Sequence, residues 1–210
     1  MFHTVGSATA VKAITYVKAG GMNRKQAGED FYFIQKLIPA GGYFYLNSTA
    51  VYPSPRASAR VPFGTGVSIG RMDAEKSSSL LTYNIQAFKE LASFFKLVDT
   101  IFECPLEELA DLYHRIPNSL QMFLSEDDWE KKIIEVKNNT SGILSFRKRF
   151  FEWFNMFKVV KYLNHTHSEL LRKKPVDIAA SELLKELGVI VESAEPVDLL
   201  QYYRKLEKTG

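Results

Sequence analysis

Two arginines and two acids in the first third of the 210-residue chain are of the types that could do chemistry. Arg56 and Arg60 lie in the segment PSPRASARVPFGTG at residues 53–66, where three prolines favour a rigid, shaped loop. A guanidinium group offers a bidentate donor fork that suits phosphate. Glu29 and Asp30 form an adjacent pair of carboxylates upstream. The arginine loop therefore predicts an anion site.

Both pairs also have a structural interpretation. The arginines could be solvated surface charges, or they could pair with Glu29 and Asp30. The acids could accept hydrogen bonds from amides in the first turn of a helix, where negative charge is favoured. The residue types by themselves leave these alternatives open.

The elements around these residues follow from local composition. Small and β-branched residues at 5–16 predict a short strand running into a helix that begins near Ala13 and ends at Gly20 and Gly21. A second helix is predicted to begin at Glu29 or Asp30 and to run through Leu37. Its apolar face would consist of Phe31, Ile34, Leu37 and Ile38. Pro39 and two glycines would end it, and residues 43–52 have the composition of a strand.

Three segments carry a resemblance to a known family. GSATAVKAITYVKAGGMN, AGEDFYFIQKL and VYPSPRASARVPFGTG follow one another within roughly residues 5–66. This ordered set resembles the second half of a family 2 glycosyltransferase domain of the GT-A fold. In that family, a strand of small residues leads into a helix closed by Gly-Gly-Phe/Met, and a Glu-Asp pair opens the next helix. The match covers under a third of the chain.

The resemblance implies a function and a role for each candidate residue. It implies inverting transfer of a sugar from a nucleotide-diphosphate donor to a hydroxyl acceptor, in the synthesis of cell-surface polysaccharide or glycoconjugate. Asp30 would stand at the general base, which takes the hydroxyl proton during attack. Glu29 would orient the site or bind the acceptor. Arg56 and Arg60 would face the diphosphate leaving group or an anionic acceptor.

The donor-binding half of such a domain has no counterpart in the sequence. No Asp-x-Asp and no phosphate-binding glycine loop occur in the 210 residues. The acidic run at 126–128 follows Ser125 and is better explained as the first turn of a capped helix than as a metal site. We therefore predict no metal ligands and no cofactor in this chain, although the resemblance implies Mg²⁺ or Mn²⁺ for the complete enzyme. The chain would hold the acceptor-side half, and other residues or another polypeptide would supply the donor side.

Charge and composition divide the chain near residue 70. Residues 1–70 contain nine of the 12 glycines, with seven basic and two acidic residues, whereas residues 71–210 contain 20 basic and 22 acidic residues. We predict an α+β chain, with a partial GT-A-type mixed sheet and helices over about 1–70 and a mainly α-helical bundle over about 71–210. A single cysteine and the absence of an apolar run of ~18 residues favour a cytoplasmic protein.

Helices are predicted throughout the second region. Their ranges are about 77–102, 105–113, 129–136, 143–171, 176–187 and 197–206, and Gly188 would end the fifth helix. The first helix carries an apolar stripe at steps of three and four, which consists of Leu81, Ile85, Phe88, Leu91, Phe95 and Val98. The predicted helix over 143–171 contains an aromatic run interleaved with basic residues, which consists of Phe146, Phe150, Phe151, Trp153, Phe154 and Phe157. We interpret these aromatics mainly as core, with contact to an anionic membrane surface as the alternative. The near-neutral charge of this region argues against a nucleic-acid partner.

Two further expectations concern partners. A partial sheet would leave exposed strand edges, so we expect the chain to form a homodimer. A non-catalytic helical interaction or scaffold module is the second interpretation of the whole chain. The two functional interpretations differ in whether Glu29, Asp30, Arg56 and Arg60 converge on one cleft.

The missing donor half gives a direct test. We expect no glycosyl transfer when the chain alone is incubated with a panel of nucleotide sugars, hydroxyl acceptors and Mg²⁺ or Mn²⁺, because the sequence lacks the nucleotide-binding loop and the Asp-x-Asp that would position a donor beside the arginines. Glycosyl transfer is measured as the nucleoside diphosphate released, which is quantified by chromatography. Turnover above the protein-free control would contradict the prediction.

Overall fold

The computed structural model describes residues 9–24, 28–44, 46, 48–49 and 80–209 of the chain. The chain divides into two compact units, unit 1 (Met1–Ser78) and unit 2 (Ser79–Gly210). The division falls a few residues beyond the change in composition near residue 70.

Unit 1 contains two helices at the positions expected from its sequence. Helix α1 spans Ala13–Lys18, helix α2 spans Glu29–Leu37, and a 3-10 turn follows at Ile38–Ala40. Gly20 and Gly21 follow α1 with φ of 72° and 68°, a conformation that costs glycine least. The predicted start of α2 and its end at Leu37 are confirmed. Its buried residues are Phe33 and Ile34, so the predicted face was wrong in including Phe31 instead of Phe33.

The described residues of unit 1 contain no strand. Residues 9–12 and the described residues between 43 and 49 are in irregular backbone or turns. The remainder of both predicted strands lies outside the described residues. The GT-A-type mixed sheet expected for residues 1–70 is therefore not shown.

Unit 2 is mostly helical. Its helices are α3 (Ile85–Lys96), α4 (Val98–Glu103), α5 (Leu109–Tyr113), α6 (Asn118–Phe123), α7 (Glu126–Asn138), α8 (Ile143–Trp153), α9 (Met156–Glu169), α10 (Val176–Glu186) and α11 (Pro196–Thr209). A 3-10 turn at Leu106–Glu108 precedes α5. Packed pairs include α4 on α8, α5 on α7, α6 on α9 and α10 on α11. These helices form the predicted helical bundle.

A two-stranded antiparallel sheet joins the start of unit 2 to the segment between α9 and α10. Strands β1 (Leu81–Thr82) and β2 (Lys174–Pro175) pair with Leu81 opposite Pro175 and Thr82 opposite Lys174. The Val176 N–H donates to the Leu80 carbonyl at 2.8 Å and extends the pairing. This short sheet was not predicted, since Leu81 was placed in a helix.

Side-chain caps mark where three helices of unit 2 begin. The Ser125 hydroxyl accepts the Asp128 N–H at 3.2 Å at the start of α7, which confirms the predicted cap. The Asn84 side chain accepts the Gln86 N–H at 3.0 Å before α3. The Asn155 side chain accepts the Phe157 N–H at 3.0 Å and a second amide at 3.2 Å before α9. Such a cap contributes typically about 1 kcal/mol.

The predicted continuous helix over residues 143–171 is wrong, because α8 and α9 are separate helices. Phe154 leaves the helical conformation with φ −90° and ψ 58°, and Asn155 caps the next helix. Phe154 is only 2% exposed, so the break carries its ring into the core. The predicted helix over 77–102 is likewise divided, because Leu97 separates α3 from α4.

The core of unit 2 is organised around Phe94. This ring is 0% exposed, and its centroid lies 5.9 Å from that of Trp129, 5.7 Å from that of Phe150 and 5.2 Å from that of Phe154. The predicted stripe is confirmed at Leu91 and Val98, which are 4% and 3% exposed, but it omitted Phe94 and wrongly included Phe88, which is 46% exposed.

A lysine connects the end of α4 to α7. The Lys137 ammonium donates to the carbonyls of Ile101 at 3.0 Å and Phe102 at 2.9 Å, and also to that of Cys104. These carbonyls lie at the C-terminus of α4, where a cation is favourable. Burial lowers the pKa of Lys137, and the neighbouring thiol opposes this shift.

We expect Phe94→Ala to lower the free energy of unfolding by about 3–5 kcal/mol, because it leaves a cavity where the four rings meet. Phe88→Ala on the same helix is the matched control and should cost under about 1 kcal/mol, since its ring is half exposed. Urea denaturation followed by circular dichroism measures both. Equal losses would show that Phe94 is not the packing centre.

Candidate functional site

The two candidate acids lie at the first turn of α2. Gly28 precedes them with φ 77°, and both Glu29 and Asp30 are partly buried. The Asp30 carboxylate accepts the N–H of Phe31 at 2.7 Å. This hydrogen bond is of the kind expected for an acid that satisfies helix amides, so that interpretation remains alongside the catalytic one.

Tyr16 packs the glycine turn after α1 against α2. Its ring centroid lies 5.1 Å from that of Phe33, and its hydroxyl accepts the Met22 N–H at 3.1 Å. A Cβ at Gly21 would lie 3.1 Å from the Tyr16 ring. The Gly-Gly turn is thus held next to the helix that carries Glu29 and Asp30. The role of Tyr16 was not predicted from the sequence, although its position five residues before Gly21 was a possible signal.

The two arginines of the predicted site, Arg56 and Arg60, lie outside the described residues. Their convergence with Glu29 and Asp30 therefore stays a prediction. In the ranges that the structure describes, no three His, Cys, Asp or Glu side chains form a group that could hold a metal ion.

Unit 2 contains a groove that the sequence did not predict. It has a volume of about 370 Å³ and lies between the end of α6, the middle of α7, the end of α8 and the start of α9. Its charged and aromatic lining includes Asp128, Lys131, Lys132, Glu135, Trp153 and Lys158. We call it the lysine groove.

Three of the six residues in the aromatic run at 146–157 are buried in the core. Phe146, Phe150 and Phe154 are 0–2% exposed, which confirms the predicted core role for these three. Phe151 and Leu144 on α8 are 43% and 77% exposed. Contact of this face with a membrane surface stays a prediction.

His167 and Cys104 of unit 2 have contacts that indicate structural roles. His167 Nε2 accepts the Asn84 N–H at 2.7 Å, and its Nδ1–H donates to the Leu163 carbonyl at 2.6 Å. This imidazole therefore links α9 to the start of α3. Cys104 is partly buried, and burial raises the pKa of its thiol. A raised pKa disfavours the nucleophilic thiolate.

Comparison with known proteins gives no relative. No family model matches the chain, and no curated protein or solved structure matches it. Among the helices described here, none combines the length and apolar character needed to cross a membrane.

We expect Gly20→Ala to cost about 1–2 kcal/mol, because alanine must adopt a positive φ there. Gly21→Ala should cost about 1 kcal/mol more, since the new methyl group would displace Tyr16 and weaken its hydrogen bond to Met22. Hydrogen exchange of the α2 amides measures both losses. Gly20 is the matched control because its Cβ would meet no atom within 4 Å. The same loss in both variants would rule out a role for Tyr16.

Proposed function

We propose that unit 1 is the acceptor-side part of an inverting glycosyltransferase. The reaction is transfer of a sugar from a nucleotide-diphosphate donor to a hydroxyl group, in the synthesis of cell-surface polysaccharide or glycoconjugate. Asp30 is the general base, and Glu29 orients the acceptor. Arg56 and Arg60 bind the diphosphate of the leaving group.

The observation that supports this proposal is the arrangement of α1, the glycine turn and α2. A helix ends in two glycines of positive φ, and the next helix begins at Glu29 and Asp30. Tyr16 packs against Phe33 and connects the two parts. This is the order of elements in which the family 2 resemblance places its base.

The chemistry assigned to these residues is a single displacement. The acceptor oxygen forms a bond to the anomeric carbon while Asp30 takes its proton, and the bond to the diphosphate oxygen breaks with its electron pair. The arginines stabilise the charge that develops on the diphosphate. The described residues do not fit a divalent metal site, so any metal in the complete enzyme would be held by other residues.

A non-catalytic helical interaction module is the second candidate. It is favoured by apolar side chains at the end of α10 and the start of α11, where Leu187 is 59%, Ile190 88% and Val197 68% exposed. Exposed apolar groups close together in sequence are common at protein interfaces. This candidate requires no nucleotide binding by unit 1.

Titration of the chain with uridine diphosphate separates the two candidates. We expect saturable shifts of backbone amide signals in unit 1, including those of α2, in ¹⁵N NMR spectra. Arg60→Ala should weaken this binding about tenfold, because one charge-assisted hydrogen bond contributes about 1.5–3 kcal/mol. Asp30→Asn should not weaken it, since that change removes a negative charge near the diphosphate.

Arg24→Ala is the matched control for Arg60→Ala. Arg24 is an exposed arginine of the same unit, outside the proposed site, so its removal changes the net charge equally. Equal weakening by both variants would indicate only non-specific attraction. Absence of any shift in unit 1 would remove the support for the glycosyltransferase proposal and favour the interaction module.

A further inference from the structure

The lysine groove of unit 2 contains more positive than negative charge. Lys131, Lys132 and Lys158 line it together with Asp128 and Glu135. Glu135 is committed to Lys132, whose ammonium lies 2.7 and 2.8 Å from its two carboxylate oxygens. In the part of the chain that the structure describes, no ion pair joins Lys131 or Lys158 to a carboxylate. Lys131 and Lys158 are therefore the two cations of the groove without such an ion pair, and Asp128 is the remaining carboxylate of the lining.

Lys158 is held in the groove by an aromatic ring. Its ammonium lies 4.2 Å from the centroid of the Trp153 ring, on a side chain that is partly buried. Burial lowers the pKa of Lys158; Asp128 opposes this shift, and Lys132 and Lys161 add to it. Its charge is thus incompletely compensated by the protein, which is the condition under which an added anion is stabilising.

A helix cap fixes the backbone that carries Lys158. This residue is in the first turn of α9, where the Asn155 side chain accepts its N–H at 3.2 Å. The Lys158 side chain therefore leaves the helix from a defined position and lines the groove.

We propose that the lysine groove is a binding site for a phosphoryl group, contacted by Lys131 from α7 and by Lys158 from α9.

A phosphoryl group fits these donors better than a carboxylate does. Lys131 and Lys158 belong to different helices, so their ammonium groups approach a ligand from different directions. A phosphate monoester carries about 1.5–2 negative charges at pH 7 and three strong acceptor oxygens, enough for both cations. Lysine binds phosphate as a point charge and needs no planar partner. The volume of about 370 Å³ is within the range of small-ligand pockets.

Tryptophan fluorescence gives a direct test with the full chain and inorganic pyrophosphate as the probe. The chain has two tryptophans, both in unit 2. Trp129 is 0% exposed, whereas Trp153 lines the groove. We expect a saturable change in emission at low ionic strength, which added salt weakens.

Three lysine variants locate the site. Lys158→Met and Lys131→Met should each weaken pyrophosphate binding about tenfold, and because Lys131 is exposed its removal should leave folding unaffected. Lys185→Met is the matched control: Lys185 is exposed on α10 and does not line the groove. The affinity of this variant should stay within about twofold of that of the parent chain. Lack of binding by the parent chain, or equal weakening by Lys185→Met, would overturn the proposal.

Two ligand sources share this chemistry, and one further arm separates them. Phosphatidylcholine vesicles with and without phosphatidic acid present the phosphoryl group on a lipid surface. If the chain binds pyrophosphate more tightly than it binds either kind of vesicle, the ligand is a free phosphorylated molecule. If it binds vesicles more tightly than pyrophosphate, and only when they contain phosphatidic acid, the ligand is a lipid headgroup. The groove lies in unit 2 and its readout comes from unit 2, so the outcome is independent of uridine diphosphate binding by unit 1.

Discussion

The contact between Phe94 and Phe154 is the interaction on which much of unit 2 depends. Their ring centroids lie 5.2 Å apart, and both side chains are almost fully buried. Phe154 leaves the helical conformation at this contact, so α8 ends there and Asn155 begins α9. The same break places Trp153 and Lys158 on either side of a short link, where one stacks on the other. The lysine groove is thus a consequence of how the core is packed.

Sequence reasoning succeeded where one residue type determines the local structure. Ser125 capped a helix because its hydroxyl can accept an amide proton that the helix leaves free. Gly21 and Gly188 ended helices because they adopt positive φ without strain. The start of α2 at Glu29 was found for the same kind of reason, since acids favour a first turn.

It failed where a contact between distant residues decides the outcome. The local signal for the break after Phe154 is Asn155, but one asparagine within a long helical pattern does not by itself divide a helix. Phe94 was missed in the same way, because it becomes the packing centre only through its partners on α7 and α8. The lysine groove likewise forms only where residues of the helices from α6 to α9 come together. For the candidate site in unit 1, the sequence located Glu29 and Asp30, whereas the convergence of the arginines with them is a tertiary property.

Lys137 has a consequence for how the protein could be altered chemically. One ammonium group donates to three carbonyls at the end of α4 and so serves as the terminal cap of a helix from a different part of the chain. Acetylation of this lysine would remove the charge and leave a single amide N–H in place of three donors. The effect would fall on the attachment of α4 to α7 and would exceed that of modifying an exposed lysine such as Lys131. Lysine is usually regarded as a surface charge, but Lys137 connects α7 to the C-terminal end of α4.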